Sequence, residues 1–159
     1  MKITCVAVGK IKEIYLKQAI AEYSKRLSRY CKMEMIELPD EKTPEGASQR
    51  EEQQIKELEG ERILKALKEG AYVIALDIQG SQPDSVKFSR KLEQLAVQGK
   101  SHIAFVIGGS LGLSPAVLKR AEERISFSAM TFPHQLMRVI LLEQIYRGYR
   151  IMHGEPYHK

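Results

Sequence analysis

The strongest constraint on the fold is an alternation of strand-like and helix-like segments that runs the length of the chain. Short apolar or alternating runs typical of strands occur at Lys2–Val8, Met33–Leu38, Tyr72–Ile78, His102–Ile107 and Ile125–Ser128. Stretches with apolar residues at helical spacing separate them. Strands separated by helices predict a largely parallel α/β sheet covered on both faces. In such folds the ligand binds at the carboxyl ends of the strands.

Capping residues mark where helices begin and end. Ser48, with Glu51 three residues later, has the pattern of a capping box, and Gly70 is placed to end that helix. Ser114-Pro115 predicts an N-cap followed by proline in the first helical turn. Pro39–Ala47, which holds two prolines, a glycine and four charges, is predicted to be a loop.

Composition limits the class of protein. A length of 159 residues suggests one domain spanning 1–159. Cys5 and Cys31 are the only cysteines, and their apolar neighbours predict small buried side chains rather than a metal or redox pair. Sparse cysteine and no visible targeting segment predict a cytoplasmic protein without a membrane span. A net charge of +5 favours an anionic partner, most commonly nucleic acid.

A glycine-rich segment, IGGSLGL at 107–113, directly follows a predicted buried strand. Glycines at this position let the backbone approach a ligand closely. The spacing is not GxGxxG, which disfavours a nicotinamide dinucleotide site. A tight turn between strand and helix explains the segment equally well.

The segment Ser126–Arg138 leads from a short strand into the last helix. The free N–H groups of the first helical turn can hold an anion or a polar ligand edge. His134 and Arg138 are four residues apart and therefore share one face. In the alternative interpretation, Met130, Phe132 and Met137 are core residues and His134 only begins the helix.

The last helix, predicted at His134–Met152, is apolar around most of its circumference, with Glu143, Arg147 and Arg150 as its polar stripe. A helix of this kind must be buried on more than one side. One small domain covers one side, so the pattern predicts a homodimer across a two-fold axis.

The chain ends in an aromatic residue, a histidine and a cation. Tyr157 or His158 could stack on a base, and Lys159 could contact phosphate. The alternative is a frayed, solvated terminus.

Three segments together resemble one family. IGGSLGL at 107–113, MTFPHQLMR at 130–138 and EQIYRGYRIMHGEPYHK at 143–159 are similar, in order and spacing, to the small pseudouridine methyltransferases of bacterial large-subunit (23S) ribosomal RNA. These belong to the SPOUT class of RNA methyltransferases, which use S-adenosylmethionine (SAM). The resemblance covers the whole chain, from MKITCVAVGK through PDEK to the terminal YHK, and Leu111 and Cys5 are minor departures.

The resemblance implies a mostly parallel sheet with a C-terminal trefoil knot, which general rules of chain topology would exclude. It implies a homodimer with a shared site, and a product methylated at N3 of a pseudouridine in the rRNA stem-loop that bridges the two ribosomal subunits. SAM would lie in the loops of the knot. Carried over by position, the cofactor-binding residues are Leu76, Gly108, Gly109, Phe127, Ser128, Ala129, Met130, Thr131 and Phe132.

The same resemblance places the tail beside the cofactor. A sulfonium already activates the methyl group, so no metal is required, and catalysis rests on alignment. The N3 proton must leave, so a base or a stabiliser of the anion would help. His158 is the first candidate as orienter or base, Arg147 could stabilise the anion, and Glu143 would hold Arg147 in place. The residues assigned to RNA contact are His134, Arg138, Tyr157 and Lys159.

Two other functions remain open at this point. A nucleotide-binding oxidoreductase could use the glycine loop, although it lacks GxGxxG and an acidic residue at ribose-binding spacing. A non-catalytic, basic ribosome-binding factor would fit the charge and the tail equally well. The sequence also leaves open the substrate form (free RNA, large subunit or ribosome), the group that takes the N3 proton, and the mobility of the Pro39–Ala47 loop.

Overall fold

The computed structural model describes all 159 residues. Its strands and helices alternate, which confirms the predicted α/β class. The elements are β1 (Lys2–Val8), α1 (Ile14–Leu27), β2 (Lys32–Leu38), α2 (Gln49–Ala66), β3 (Tyr72–Ser81), α3 (Ser85–Val97), β4 (His102–Ile107), α4 (Pro115–Arg120), β5 (Glu123–Ile125) and α5 (His134–Met152). The five strands form one parallel sheet in the order β2-β1-β4-β3-β5.

Strand β1, which lies between β2 and β4, shows why both faces of the sheet are covered. Successive side chains of a strand point to opposite faces. Ile3 and Cys5 belong to the core that α1, α3 and α5 complete, whereas Val6 and Val8 belong to the core under α2 and α4. Both cysteines are buried and free, as the sequence predicts. No helix is long and apolar enough to cross a membrane.

The predicted helix starts are confirmed. Ser48 Oγ accepts the Glu51 N–H at 3.2 Å and the Glu51 carboxylate accepts the Ser48 N–H, so both halves of the capping box are present. Ser114 caps α4, and Pro115 occupies its first turn. Gly70 does not end α2 as predicted. The helix ends earlier because Leu67 turns to extended backbone and packs against the core under α2 and α4.

The last strand lies earlier than predicted, at Glu123–Ile125 instead of Ile125–Ser128. β3 continues past an irregularity so that Ser81 also pairs with Ile125, and the Ser126 N–H donates to Ser81 O at 2.8 Å. A Cβ at Gly80 would lie 2.6 Å from the Arg124 carbonyl carbon, so this close approach requires glycine. Beyond Ser126 the chain leaves the sheet and forms the loop described below.

Helix α5 packs between α1 and α3 on one face of the sheet. Leu141, Leu142 and Ile145 are fully buried there. Helices α1 and α3 therefore cover sides of α5 that the sequence argument had assigned to the second copy of a homodimer. Leu136 and Ile140 of α5 remain partly exposed. The homodimer and the trefoil knot remain predictions.

Candidate functional site

A cavity opens at the carboxyl edge of the sheet, where the loops after β3, β4 and β5 meet the start of α5. It encloses about 620 Å³ of empty space, part of it open to solvent. Eight of the nine residues predicted to bind a cofactor line this cavity: Leu76, Gly108, Gly109, Phe127, Ser128, Met130, Thr131 and Phe132. The ninth, Ala129, lies exposed in the same loop. The carboxyl ends of parallel strands are the expected ligand position in such a sheet.

The walls of the cavity are mostly apolar, with Ile78, Ile107 and Met137 among them. Asp77 is the only carboxylate in the lining. Its side chain lies 3.8 Å from the Arg124 guanidinium, and Arg124 is half-exposed. Negative charge beside apolar walls suits a ligand that is partly apolar and carries positive charge.

The glycine loop after β4 forms one wall of the cavity. At Gly108 and Gly109 its backbone lies too close to neighbouring atoms for a side chain. A Cβ at Gly108 would lie 2.9 Å from the Gly112 carbonyl, and Gly112 itself has a φ of +87°. The Gly112 N–H donates to Gly109 O at 3.0 Å and closes the turn. A Cβ at Gly109 would lie 3.1 Å from Glu59 Oε1, so a side chain there would meet Glu59 on α2. These close approaches explain why glycines occupy this segment.

The loop between β5 and α5 is held in one conformation by short-range hydrogen bonds. Ser126 Oγ donates to Ser128 O at 2.9 Å, and Ser128 Oγ accepts the Met130 N–H at the same distance. The Phe127 ring packs edge-on against Phe88 of α3, with ring centroids 5.9 Å apart. The loop therefore presents a pre-formed surface to the cavity.

His134 and Arg138 share one face of α5, as predicted, but their environments differ. His134 lines the cavity. Burial, with a smaller effect from Arg138, lowers the pKa of His134 below its ordinary value. At neutral pH the imidazole is therefore uncharged and able to both donate and accept one hydrogen bond.

Arg138 is only 2% exposed, so the prediction that it contacts RNA is wrong for this structure. Its guanidinium donates to Val8 O at 3.2 Å, to Gly9 O at 2.7 Å and to Glu37 Oε2 at 2.9 Å. These partners lie at the carboxyl ends of β1 and β2. The side chain therefore holds α5 against the carboxyl ends of β1 and β2.

The three residues predicted to act in catalysis lie together on α5 and the tail. The Arg147 guanidinium donates twice to Glu143 Oε1, at 2.9 and 2.7 Å, and this hydrogen bond raises the pKa of Arg147. His158 Nδ1 lies 3.1 Å from Arg147. Tyr157 packs its ring against the Arg147 guanidinium at 4.7 Å and donates to Glu143 at 3.2 Å. Burial, together with the Glu143 charge, raises the pKa of Tyr157 to about 12.

The tail is docked rather than frayed as far as Tyr157. The Glu155 carboxylate accepts from the Tyr30 hydroxyl at 2.8 Å and pairs with Arg150. Donation by Tyr30, reinforced by Arg150, lowers the pKa of Glu155. The Arg150 guanidinium also donates to Pro156 O at 2.8 Å. Lys159, at the end of the chain, is exposed.

Within one chain the tail and the cavity lie at opposite edges of the sheet. Tyr30, which anchors the tail, directly precedes β2 and so lies at the amino edge, whereas the cavity lies at the carboxyl edge. Helix α5 has 19 residues, so it spans about 28 Å at 1.5 Å per residue. Residues of the tail and of the cavity therefore do not meet in a single copy.

Sequence reasoning missed two acidic residues near the cavity. Asp77 directly follows Leu76, and its position at the end of a buried strand was the available signal. Glu59 is buried on α2 between Ile55 and Ile63, each four residues away. A carboxylate on the apolar face of an amphipathic helix is unusual enough to be noticed from the sequence.

Known proteins resemble this chain over its whole length. The sequence profile of a family described as "Predicted SPOUT methyltransferase" matches residues 1–158. A protein from Clostridium perfringens named ribosomal RNA large subunit methyltransferase H 1 is 64% identical to this chain. One from Clostridium tetani, named ribosomal RNA large subunit methyltransferase H, is 62% identical. A third from Bifidobacterium adolescentis is 63% identical. Each alignment covers 100% of both chains.

Solved structures share the fold at low sequence identity. A probable methylase family protein from Haemophilus influenzae aligns with a TM-score of 0.52 and 13% identity, over 99% of this chain and 70% of the other. A tRNA methyltransferase from Aquifex aeolicus aligns with a TM-score of 0.50 and 14% identity, over 92% and 70%. These similarities support the fold.

Proposed function

Because the chain belongs to the SPOUT methyltransferase family, we propose that it transfers a methyl group from SAM to N3 of a pseudouridine in large-subunit (23S) ribosomal RNA, in the stem-loop that bridges the two subunits. The chain is an rRNA methyltransferase, as its full-length relatives are named. The observation that carries the proposal is the cavity, because it gathers nearly all residues that the family resemblance assigns to the cofactor.

The residues around the cavity suit SAM. Apolar walls at Ile78, Ile107 and Met137 can enclose an adenine ring. Asp77 supplies one negative charge for a ligand that carries a sulfonium and an ammonium. The backbone groups of the glycine loop and the 127–132 loop would fix its orientation.

When bound, SAM supplies a methyl group that its sulfonium already activates. The chain must hold the target base in line with that group and stabilise negative charge as N3 loses its proton. Arg147 stays charged because Glu143 binds it, so its guanidinium can face the developing anion. A flipped base would be presented to this cluster from the RNA.

The role of His158 follows from its contact with Arg147. A guanidinium can only donate, so His158 Nδ1 must accept, and the proton of the neutral ring then lies on Nε2. Nε2–H can donate to a carbonyl oxygen of the base but cannot take the N3 proton. Between the two predicted roles, this geometry favours that of an orienting residue over that of a base.

A homodimer would bring the tail of one copy to the cavity of the other. The two halves of the site lie at opposite edges of one chain, and a two-fold axis reverses the direction of the second α5. The partly exposed Leu136 and Ile140 lie toward the cavity end of α5, while Glu143 and Arg147 lie toward the tail. The shared site and the tail residues Tyr157 and Lys159 as RNA contacts belong to this proposal, as does the trefoil knot that would form the loops.

The test is methyl transfer to ribosomes that lack the modification. Free rRNA, large subunits and assembled ribosomes are each incubated with methyl-labelled SAM, and labelled nucleosides are compared with an N3-methylpseudouridine standard. We expect label in that nucleoside and none when the target is uridine. Gly108→Ala should abolish SAM binding, because its Cβ would displace the glycine loop. Ser101→Ala is the control, since Ser101 is exposed and lies just before β4, at the opposite edge of the sheet from the cavity.

Two outcomes would contradict the proposal. Label in a different nucleoside would overturn the assigned position. Binding to ribosomes with no affinity for SAM would instead support the non-catalytic ribosome-binding factor.

A further inference from the structure

Glu59 is a buried carboxylate on α2, and only one of its oxygens has a partner. The residue is 4% exposed. Oε2 accepts the backbone N–H of Glu41 at 2.9 Å, whereas Oε1 is buried and accepts no hydrogen bond. Nearly all buried polar atoms in folded proteins are satisfied, so an unpaired carboxylate oxygen calls for a donor.

The nearest feature to that oxygen is the glycine loop. A Cβ at Gly109 would lie 3.1 Å from Glu59 Oε1 and 3.3 Å from Oε2, so only glycine lets the loop backbone come so close. Gly109 pairs with Gly112 in an isolated antiparallel bridge, whereas the N–H groups of Ser110 and Leu111 donate to no backbone acceptor. A free buried acceptor therefore lies beside a loop with free donors.

The other oxygen of Glu59 joins the Pro39–Ala47 loop to the same point. Besides the bond from Glu41 to Glu59, Arg62 of α2 donates to Pro39 O at 2.9 Å and pairs with the Glu41 carboxylate. Two loops, one after β2 and one after β4, thus meet at a single side chain. Burial raises the pKa of Glu59, in agreement with an oxygen that lacks a donor.

We propose that Glu59 is a positioning residue for the methyl donor. When the donor binds, the backbone N–H of Ser110 in the glycine loop donates to Oε1. Glu59 then ties the glycine loop to the Pro39–Ala47 loop, and donor binding in one loop fixes the other. This inference rests on the proposed function only in taking SAM as the ligand.

The test compares wild-type protein with Glu59→Gln, by calorimetry with SAM and by steady-state methyl transfer. A glutamine keeps one carbonyl oxygen, which can serve Glu41 or the glycine loop but not both. The Kd and KM for SAM should rise about tenfold, as expected for a lost hydrogen bond to a charged acceptor, while kcat changes less than about twofold. A residue that only supports the fold would lower kcat through the active fraction and leave KM unchanged. Glu61→Gln, exposed and two residues along α2, is the matched control.

Hydrogen exchange at residues 109–111 provides a second measurement on the unaltered protein. We expect SAM to slow exchange there in wild type and to do so far less in Glu59→Gln. If Glu59→Gln binds SAM with wild-type Kd and protection, the inference is overturned. If Glu59→Gln does not fold, the exchange measurement on wild-type protein is sufficient. Amides of residues 109–111 that exchange equally fast with and without SAM would then overturn the inference. Wild-type protein that does not bind SAM would instead overturn the proposed function.

Discussion

Replacing Arg138 with alanine should destabilise the protein by about 4 kcal/mol, because a side chain that is only 2% exposed fastens α5 to the sheet. Its guanidinium makes three hydrogen bonds, two of them to the carbonyls of Val8 and Gly9. Each buried carbonyl left without a donor costs about 1–3 kcal/mol. The lost bond to Glu37 adds less to this cost, because the Glu37 side chain is 41% exposed and can bind water instead.

Urea unfolding at pH 7, followed by circular dichroism at one fixed protein concentration, measures this change. A loss of about 4 kcal/mol corresponds to a fall of roughly 8–16 °C in the melting temperature of a chain this long. Arg147→Ala is the matched control on the same helix. Arg147 pairs with Glu143 four residues earlier on the same helix, and both side chains keep some contact with water, so the loss of Arg147 should cost clearly less than the loss of Arg138.

RNA binding distinguishes this role of Arg138 from the one that the sequence predicted. Arg138→Gln removes the charge but keeps an amide that can donate to one of the two carbonyls, so it should fold more readily than Arg138→Ala, and its affinity for a ribosomal RNA fragment can be measured against salt. We expect an unchanged salt dependence. A slope reduced by about one, together with an unfolding midpoint equal to wild type, would show that Arg138 contacts phosphate and would refute the reasoning.

Three further predictions test other parts of the structure. Ile140→Glu, at a partly exposed position, should yield folded monomers in sedimentation, whereas Leu142→Glu, at a fully buried one, should unfold the chain. A protein truncated after Glu155 keeps the hydrogen bond from Tyr30 to Glu155, so it should bind SAM and melt normally yet lose most methyl transfer to ribosomes; wild-type turnover would contradict this. Below its ordinary pKa of 6.5, protonation of His134 opposes folding, so stability should fall from about pH 7 towards pH 5, and less so in His134→Gln.

The elements that the sequence predicted well carry strong local signals. β1, β4 and α5 have the predicted bounds because each is an apolar run or a periodic segment limited by glycine, proline or polar residues. The capping box at Ser48 depends only on residues a few positions apart. The residues assigned to the cofactor by family resemblance line one cavity, which the weak glycine spacing alone did not indicate, and their role in cofactor binding stays a prediction.

The errors concern contacts between distant parts of the chain. β5 was placed too late because its partner, Ser81, lies beyond an irregularity in β3 that periodicity does not reveal. Arg138 was assigned to RNA because a cation on a helix face is normally solvated, yet its partners Val8 and Gly9 lie about 130 residues earlier. The burial of Glu59 likewise depends on two loops that meet only in the folded chain.

The bond from Arg138 to the end of β1 also determines when the protein can finish folding during synthesis. β1 is made first, but the donor for the carbonyls of Val8, its last residue, and of Gly9, which follows it, lies in the final helix. Until α5 leaves the ribosome, the apolar face shared by β1, α1 and α3 has no cover. Such long-range contacts form slowly. A nascent chain of this kind depends on its C-terminus to become soluble, so a premature stop before α5 should give an aggregating product.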